Sequence, residues 1–542
     1  MTTTSEPQRT TALIPKARAG LAGKPATRVL VPEHDQEPSR VRRRELTGGE
    51  GLLAGGLTAV VLVLLTINIT GFPMASDDEG TYYAQAWAVA TGKGLAHYTY
   101  WYDHPPLAWI QLAALSWIPD LFGVGGPAVT AGRVAMIPVV AAALLLVYLI
   151  CRRLGMGIRT SAIGLLLFGL SPLTVTMYRE IYLDTFAVAW MLGALALVLS
   201  PRRNLWHYTA AGAATAIAVL SKETMLVTLP AVCVALWQNA ARSSTRPWAV
   251  GGYLSGLVLV GMFYPLYALL RGELFPGPGH VSLIGAWQFQ LANRSGTGSA
   301  FQAGSGSYDL IQSWLFYDPV ILIAGLLATV PALFVRRLRP PAVAAVILVL
   351  VAVRPGGYLP AMYVVQILPF FAIVAAGMVD VTARAVPDRR RWWRPALATV
   401  AVLLAVMLIG PRWVAGNHRS LTADDNAGYT AAAEYLRTSV PDRAGTTVVV
   451  DDVLWVDCVE AGFPEEQVIW FYKLDLDPAV RARLPNGWRD VDYLVSTPAL
   501  RQDPSSLPLV TALLTNSTLE ASFGPADGRI EIRRINKETP SS

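Results

Sequence analysis

Charge is what this 542-residue sequence is short of. Asp, Glu, Lys and Arg make up 15% of it, against roughly 25% in an ordinary soluble domain. Beside 53% hydrophobic residues and a mean hydropathy of +0.41, that shortage excludes a water-soluble enzyme, a fibrous repeat and a disordered chain. Cysteine is scarce too. Cys151 and Cys233 sit at ends of apolar blocks and only Cys458 lies in the polar C-terminal part, so no disulfide framework can form there. That part also lacks a nucleotide-binding loop, a zinc-ligand spacing and a nucleophile elbow. The net charge of +6 comes from short basic clusters between apolar blocks. A nucleic-acid binder would gather them into one patch, so no nucleic-acid partner is expected.

What is there is a series of apolar blocks, each near the roughly 20 residues that a helix needs to cross a hydrocarbon core. They lie at about 50–72, 131–151, 159–178, 181–200, 207–221, 223–238, 248–270, 318–335, 341–353, 359–380 and 395–411, about eleven spans in all. Residues 1–49 are polar, rich in Thr, Pro and Arg, and read as a disordered cytoplasmic tail. The first block follows Arg42-Arg43-Arg44 and reads as an uncleaved signal anchor. With that tail inside, the clusters Arg152-Arg153-Arg159, Arg202-Arg203, Arg242-Arg246, Arg336-Arg337-Arg339 and Arg384 through Arg394 all fall on the cytoplasmic side, as the positive-inside rule requires. The expectation is a multi-pass plasma-membrane protein embedded in membrane lipids. Its membrane domain covers 50–411, with a first outer loop at 73–130, Leu107–Ile118 at the interface and a lid-like outer loop at 271–317. The region 412–542 reads as a small extracytoplasmic α/β domain. It has a helix at Ala423–Val440, with Ala431, Tyr435 and Leu436 on one face. Short strands are expected at Thr446–Val450, Gln467–Lys473, Val491–Val495 and Arg529–Ile535. Holding an acceptor, or covering the active site, is the role it suits.

Ionisable residues beside spans carry the functional signal, because a carboxylate at the bilayer centre costs about 2.5 kcal/mol or more. Four groups stand on the outer side. In Ser76-Asp77-Asp78-Glu79-Gly80-Thr81-Tyr82-Tyr83, a capping box accounts for Ser76 and Glu79 and is indifferent to Asp77 and Asp78. In Tyr102-Asp103-His104-Pro105-Pro106-Leu107, a proline-started helix is the plain alternative to a chemical role for His104. In Arg179-Glu180-Ile181-Tyr182-Leu183-Asp184, Arg179 and Glu180 form a plausible interfacial ion pair. Asp184, inside an apolar run, needs a partner or a wet cavity. At Lys222-Glu223, and at Arg354, snorkelling is the plain alternative. Carboxylates facing isolated cations across one membrane boundary suit an anionic, lipid-linked substrate: a carboxylate takes a hydroxyl proton and cations hold a departing phosphate.

These residues resemble those of multi-pass GT-C glycosyltransferases, the family-39-like group of protein O-mannosyltransferases and lipid A aminoarabinose transferases. The resemblance covers about 50–411. Asp78-Glu79, His104-Pro105-Pro106-Leu107, Arg179 with Asp184, Ser221-Lys222, and Tyr363 with Pro369 carry it. It implies a GT-C-like membrane protein with about 11 transmembrane helices plus the small C-terminal α/β domain. Asp78 would be the general base, with Asp77 or Glu79 beside it and Asp184 as a second site carboxylate. Arg179, Lys222 and Arg354 would hold the donor phosphate. His104, Tyr83 and Tyr363 are candidate substrate-binding residues. Where an Arg-Tyr pair is common before the late proline, this chain has Met362-Tyr363, and Arg354 would substitute from the loop. The resemblance implies no metal, although hard oxygen ligands at Asp77, Asp78 and Glu79 would suit a divalent cation.

The function expected is inverting transfer of a sugar from a polyprenyl-phosphate donor to a hydroxyl on a glycan, lipid or protein acceptor. The Gly/Ser-rich stretch from Gly296 to Ser307 suggests a mobile lid, and Trp287, Phe289 and Tyr308 are placed to stack on a sugar or to sit in an interfacial aromatic belt. The alternative is a transporter or flippase of a lipid-linked sugar. That class places charges near the midplane in paired repeats, which this sequence lacks. A structural scaffold that binds cell-wall material through its C-terminal domain is a third reading, and it leaves the one-sided carboxylates unexplained.

Overall fold

A computed structural model describes residues 45–100, 102–240, 245–277, 280–385, 394–502 and 504–537. The tail to residue 44, Arg242, and most of the Arg384–Arg394 cluster lie outside the described residues. Every apolar block is helical. Among the described residues four stretches are long and apolar enough to cross a membrane: Gly48–Thr66, Ala128–Arg153, Arg246–Leu270 and Tyr363–Ala385. A fifth arises if Gly306–Tyr317 and Pro319–Phe334, bent by 106°, count as one. The other blocks are broken into shorter helices. The block at 159–178 stops at Gly169 and restarts at Pro172, and that at 223–238 opens with a 3₁₀ turn at Glu223–Thr228.

The elements that position the site are α1 (Gly48–Thr66), α2 (Asp77–Ala90), α3 (Leu107–Leu115), α4 (Ile137–Arg153), α5 (Ile158–Gly169), α6 (Leu183–Val198), α7 (Leu205–Ser221), α8 (Leu229–Asn239), α9 (Arg246–Gly261), α10 (Gly306–Tyr317), α11 (Pro319–Phe334), α12 (Arg339–Ala352), α13 (Tyr363–Ala385), α14 (Arg394–Thr422) and α15 (Ala427–Thr438). Helices apolar all round are buried, and α6 follows that rule almost throughout, as does α13 from Tyr363 to Gly377. These two central helices carry Asp184 and Gln366. Helices α7 and α9 touch backbone to backbone: a methyl group on Gly212 would strike the Tyr253 carbonyl, and one on Gly256 the Thr209 carbonyl. At one end of the bundle, Arg152 pairs with Glu50 at 2.5 Å, and Asp380 takes Arg337 at 2.6 Å and Arg384 at 2.9 Å.

The helix α14 runs through Pro411 to Thr422, so the expected boundary at 411/412 falls inside a continuous helix. The first helix of the C-terminal region is α15, shorter than the expected Ala423–Val440. It buries Tyr429, Ala432 and Leu436, while Ala431 and Tyr435 are only partly covered. Behind it stands a five-stranded sheet in the order β2-β1-β3-β5-β4. The strands are β1 (Val448–Val450), β2 (Val468–Trp470), β3 (Tyr493–Ser496), β4 (Ser517–Phe523) and β5 (Ile530–Ile535). β1 is parallel to β2 and β3, and β5 is antiparallel to β3 and β4. Strand β4 was not expected: it is an edge with little burial, so it shows no buried period.

The sheet region is fastened to the bundle through side chains that take backbone groups. Asn426 donates to the Thr70 and Pro73 carbonyls and accepts from the Ala75 amide, and Asn68 donates to the Ala423 carbonyl at 2.6 Å. Gly80 of α2 lies flat on the 452–453 backbone, where no side chain would fit.

Candidate active site

Helix α2 sorts its acidic first turn by direction. Ser76 caps it: the Ser76 hydroxyl accepts from the Glu79 amide and the Glu79 carboxylate accepts from the Ser76 amide. The same carboxylate takes Arg133 Nε and Nη2 at 2.8 and 2.6 Å and the Ile181 amide at 3.0 Å, with both side chains fully buried. Glu79 is therefore not a free acid beside the site. Asp77, Asp78 and Glu79 do not converge, and among the described residues no three His, Cys, Asp or Glu side chains form a group that could hold a metal ion.

Asp78 is exposed. Four residues on, at the same helical face, Tyr82 is 2% exposed and is the hub of the constellation. Burial, together with the carboxylates of Asp78, Asp103, Asp184 and Glu223, holds its hydroxyl well above the ordinary phenol range. Lys222 Nζ lies 5.9 Å from the Tyr82 ring centre and the His104 ring 6.2 Å from it. One helical step further, Tyr83 faces the other way. Its ring lies under Gly132, within reach of Asp457, Glu460 and Asp120. Tyr82, not the expected Tyr83, belongs to the site.

Lys222, 3% exposed, donates to His104 Nε2 at 2.8 Å, and His104 Nδ1 is 3.1 Å from both carboxylate oxygens of Glu223. An ammonium has no lone pair, so Nε2 is assigned as acceptor and Nδ1–H as donor to Glu223. Asp184 stands at the start of α6, 1% exposed. Its Oδ1 accepts from Gln366 Nε2 at 2.5 Å, and that nitrogen also reaches Thr224 Oγ1 at 2.6 Å. Asp184 Oδ2 is buried without a partner. Lys222, His104 and Glu223 are all within electrostatic reach of Asp184, and Asp78 and Asp184 both act on Tyr82.

Two expected cations behave differently. Arg179 is fully buried and donates to backbone carbonyls: Leu64 at 2.8 Å, Ile67 at 2.9 Å, Ser420 at 2.7 Å and Phe72 at 3.5 Å. It ties the last turn of α1 to the end of α14, where unpaired carbonyls need donors. Burial and the neighbouring Arg133 lower its pKa to about 10. Arg179 is thus neither a phosphate holder in this geometry nor paired with Glu180, which accepts instead from the Tyr182 hydroxyl at 2.6 Å. Arg354 is exposed, in the loop after α12. Its charge and that of Asp184 both reach Tyr363, whose hydroxyl donates to the Leu348 carbonyl at 3.2 Å.

The C-terminal region supplies a second acidic layer. Thr81 donates to Asp452, Tyr472 donates to Asp452 at 3.3 Å and Tyr429 to Asp451 at 2.8 Å. Burial, then Asp451 and Asp78, push Asp77 from an ordinary 3.8 to about 8. Sequence reasoning missed this pair because Asp451 and Asp452 look like strand-end turn residues; only the fold brings them to α2. It also missed Gln366 and Arg133, whereas Tyr82 was detectable as the fourth residue after Asp78.

Residues 103–264, under a third of the chain, match the family model described as dolichyl-phosphate-mannose-protein mannosyltransferase. No curated protein matches the sequence as a whole. ArnT from Cupriavidus metallidurans bound to undecaprenyl phosphate has a similar structure, at 16% identity and a TM-score of 0.57, over 90% of this chain and 98% of that one. The Archaeoglobus fulgidus oligosaccharyltransferase in its apo form is similar at 13% identity and a TM-score of 0.51, over 91% of this chain and 75% of that one. The chain has the GT-C fold these transferases share.

Proposed function

From that shared fold and the pocket around Tyr82, we propose that the protein is an inverting glycosyltransferase. It moves a sugar from a polyprenyl-phosphate carrier to an acceptor hydroxyl at the outer boundary of the plasma membrane. The observation that carries this reading is the cluster of Asp78, Asp184, Lys222 and His104 around one buried tyrosine. ArnT binds undecaprenyl phosphate on the same fold, and a lipid phosphate is the ligand a lysine at the end of an apolar helix suits.

Asp78, the exposed carboxylate, takes the proton of the acceptor hydroxyl as that oxygen bonds to the anomeric carbon. The bond from that carbon to the phosphate oxygen breaks, with inversion, and polyprenyl phosphate leaves with the electron pair. Lys222 meets the growing phosphate charge. His104, bonded through Nδ1 to Glu223, aims the ammonium. Asp184 accepts hydrogen bonds from sugar hydroxyls through its unpartnered oxygen, held in place by Gln366. Arg354 approaches the phosphate from the loop, and Tyr363 backs it.

The test is sugar release and transfer from synthetic polyprenyl-phosphate mannose and arabinose by purified protein. Asp78→Asn should abolish transfer while yield and thermal stability persist; retained turnover would remove Asp78 from the mechanism. Mass spectrometry of lipid-linked sugars after deletion would name the donor by its accumulation and the acceptor by the glycan lost.

A further inference from the structure

One carboxylate of the cluster has no role in the reaction just described. Asp103 precedes His104, whose backbone amide donates to its carboxylate, and its Oδ1 is buried without a partner among the described residues. Asp103 also lines a cavity of about 430 Å³, inside the roughly 300–1,000 Å³ of small-molecule sites. The opposite wall comes from the loop expected to act as a lid, through Ser282, Ala286, Phe289 and Gln290. Gln290 donates to the Asp103 carbonyl at 3.4 Å, and its own amide oxygen accepts from Arg294 at 2.7 Å, which fixes the wall to the floor. Phe289 stays 53% exposed, an aromatic face left uncovered.

The chemistry of this lining selects a ligand class. The Asp103 carboxylate, the Ser282 hydroxyl, the Gln290 amide and the His280 imidazole are its hydrogen-bonding groups, and the open Phe289 ring offers a platform for C–H groups. A pyranose or furanose ring presents both kinds of surface. Among the described residues no lysine or arginine lines the cavity, whose one imidazole is His280, so it offers no fixed cation to a phosphate, and Asp103 disfavours acidic sugars by like-charge repulsion and desolvation. His104, the residue after Asp103, contacts Lys222, so the chain links the cavity to the cationic cluster one residue away.

We propose that the cavity between Asp103 and the 282–290 segment is the acceptor subsite, and that it takes the ring of an uncharged sugar. This inference rests on the transferase reading above and specifies its acceptor as a neutral glycan.

Saturation-transfer NMR on the full chain in lipid nanodiscs tests it, with methyl α-mannopyranoside, methyl α-arabinofuranoside, methyl β-glucopyranoside and glucuronate as probes. At least one neutral glycoside should bind, with or without undecaprenyl phosphate, and glucuronate should not. Phe289→Ala and Asp103→Asn should each weaken binding about tenfold, the scale of one good aromatic or hydrogen-bonding contact. Phe301→Ala, an 81% exposed aromatic on the same loop away from the cavity, should leave it unchanged. If Asp103→Asn fails to fold, Phe289→Ala carries the test, since its side chain is exposed.

The subsite is overturned if no neutral glycoside binds, if glucuronate binds equally, or if Phe289→Ala binds as the parent does. Displacement of the glycoside by intact polyprenyl-phosphate sugar, but not by undecaprenyl phosphate, would assign the cavity to the donor's ring and overturn the acceptor assignment. Undecaprenyl phosphate binding, measured alone, separates the two readings: a protein that binds the lipid but no glycoside loses the subsite and keeps the transferase.

Discussion

Glu79 and Arg133 form a two-pronged ion pair, 2.6 and 2.8 Å, with no exposed surface on either side chain. The pair anchors α2 to the bundle, and Arg133 also donates to the Ile69 and Pro73 carbonyls. Breaking one partner of such a pair strands a buried charge, at a cost of about 3–5 kcal/mol. Arg133→Met should therefore sharply reduce folded yield and melting temperature in detergent, while Glu79→Leu with Arg133→Met recovers much of the loss. Arg179→Gln should likewise lower stability, measured the same way, since its donors cap the end of α1.

Lys222→Met should lower transfer by about 10²–10³-fold, the scale for removing one charge-stabilising donor, at unchanged yield. Lys222→Arg should recover little, because His104 Nε2 at 2.8 Å is set for a compact ammonium and not a planar fork. His104→Phe should fall between the two. Turnover and lipid-phosphate binding, measured separately, check this.

Asp77 carries a pH consequence. A carboxylate raised from 3.8 to about 8 by burial and by Asp451 and Asp78 holds a proton in the folded protein that the unfolded chain gives up. Between those two values the unfolded state binds fewer protons, so stability falls as pH rises. Below 3.8 both states are protonated and the penalty is absent. Melting temperature should decline from pH 4 towards pH 8, and Asp77→Asn should flatten the decline. A stability that rises over that window would refute the account.

Tyr98 of the first loop lies against the outer edge of β2. It accepts from the Trp470 amide at 2.8 Å and donates to the Val468 carbonyl at 3.3 Å, supplying the two bonds a neighbouring strand would make. Tyr98→Phe should leave that buried amide unpaired and cost about 1–3 kcal/mol. Limited proteolysis should show it as faster release of the sheet region, with the helical bundle intact.

The sequence was most legible where a charge met an apolar run. Asp184 had no inexpensive explanation in a membrane setting and Lys222 only snorkelling, and the fold brings the two within electrostatic reach of each other. Glu79 and Arg179 sit in the same apolar surroundings for a different reason: a charged group can also serve as an internal clamp on carbonyls or on an opposite charge, and residue type alone does not separate the two uses. Glu79 carried its own hint, since the capping box already accounted for it. Gln366 is a polar residue whose partners, Asp184 and Thr224, lie far along the chain, so no local pattern marks it. In the sheet region β1, β2, β3 and β5 were readable from runs of β-branched and aromatic residues, and β4, which buries none of its side chains, was not.

Thr297 holds the 271–317 loop to the chain that follows α12. Its amide donates to the Gly357 carbonyl at 3.0 Å, and its hydroxyl accepts from the Leu359 amide at 2.9 Å and meets the Ser307 hydroxyl at 2.7 Å. The Gly/Ser-rich stretch is thus pinned at its start, and what it is pinned to is the segment bearing Arg354. Through these bonds any displacement of the stretch is passed on to residues 357–359, and so to the turn that follows Arg354.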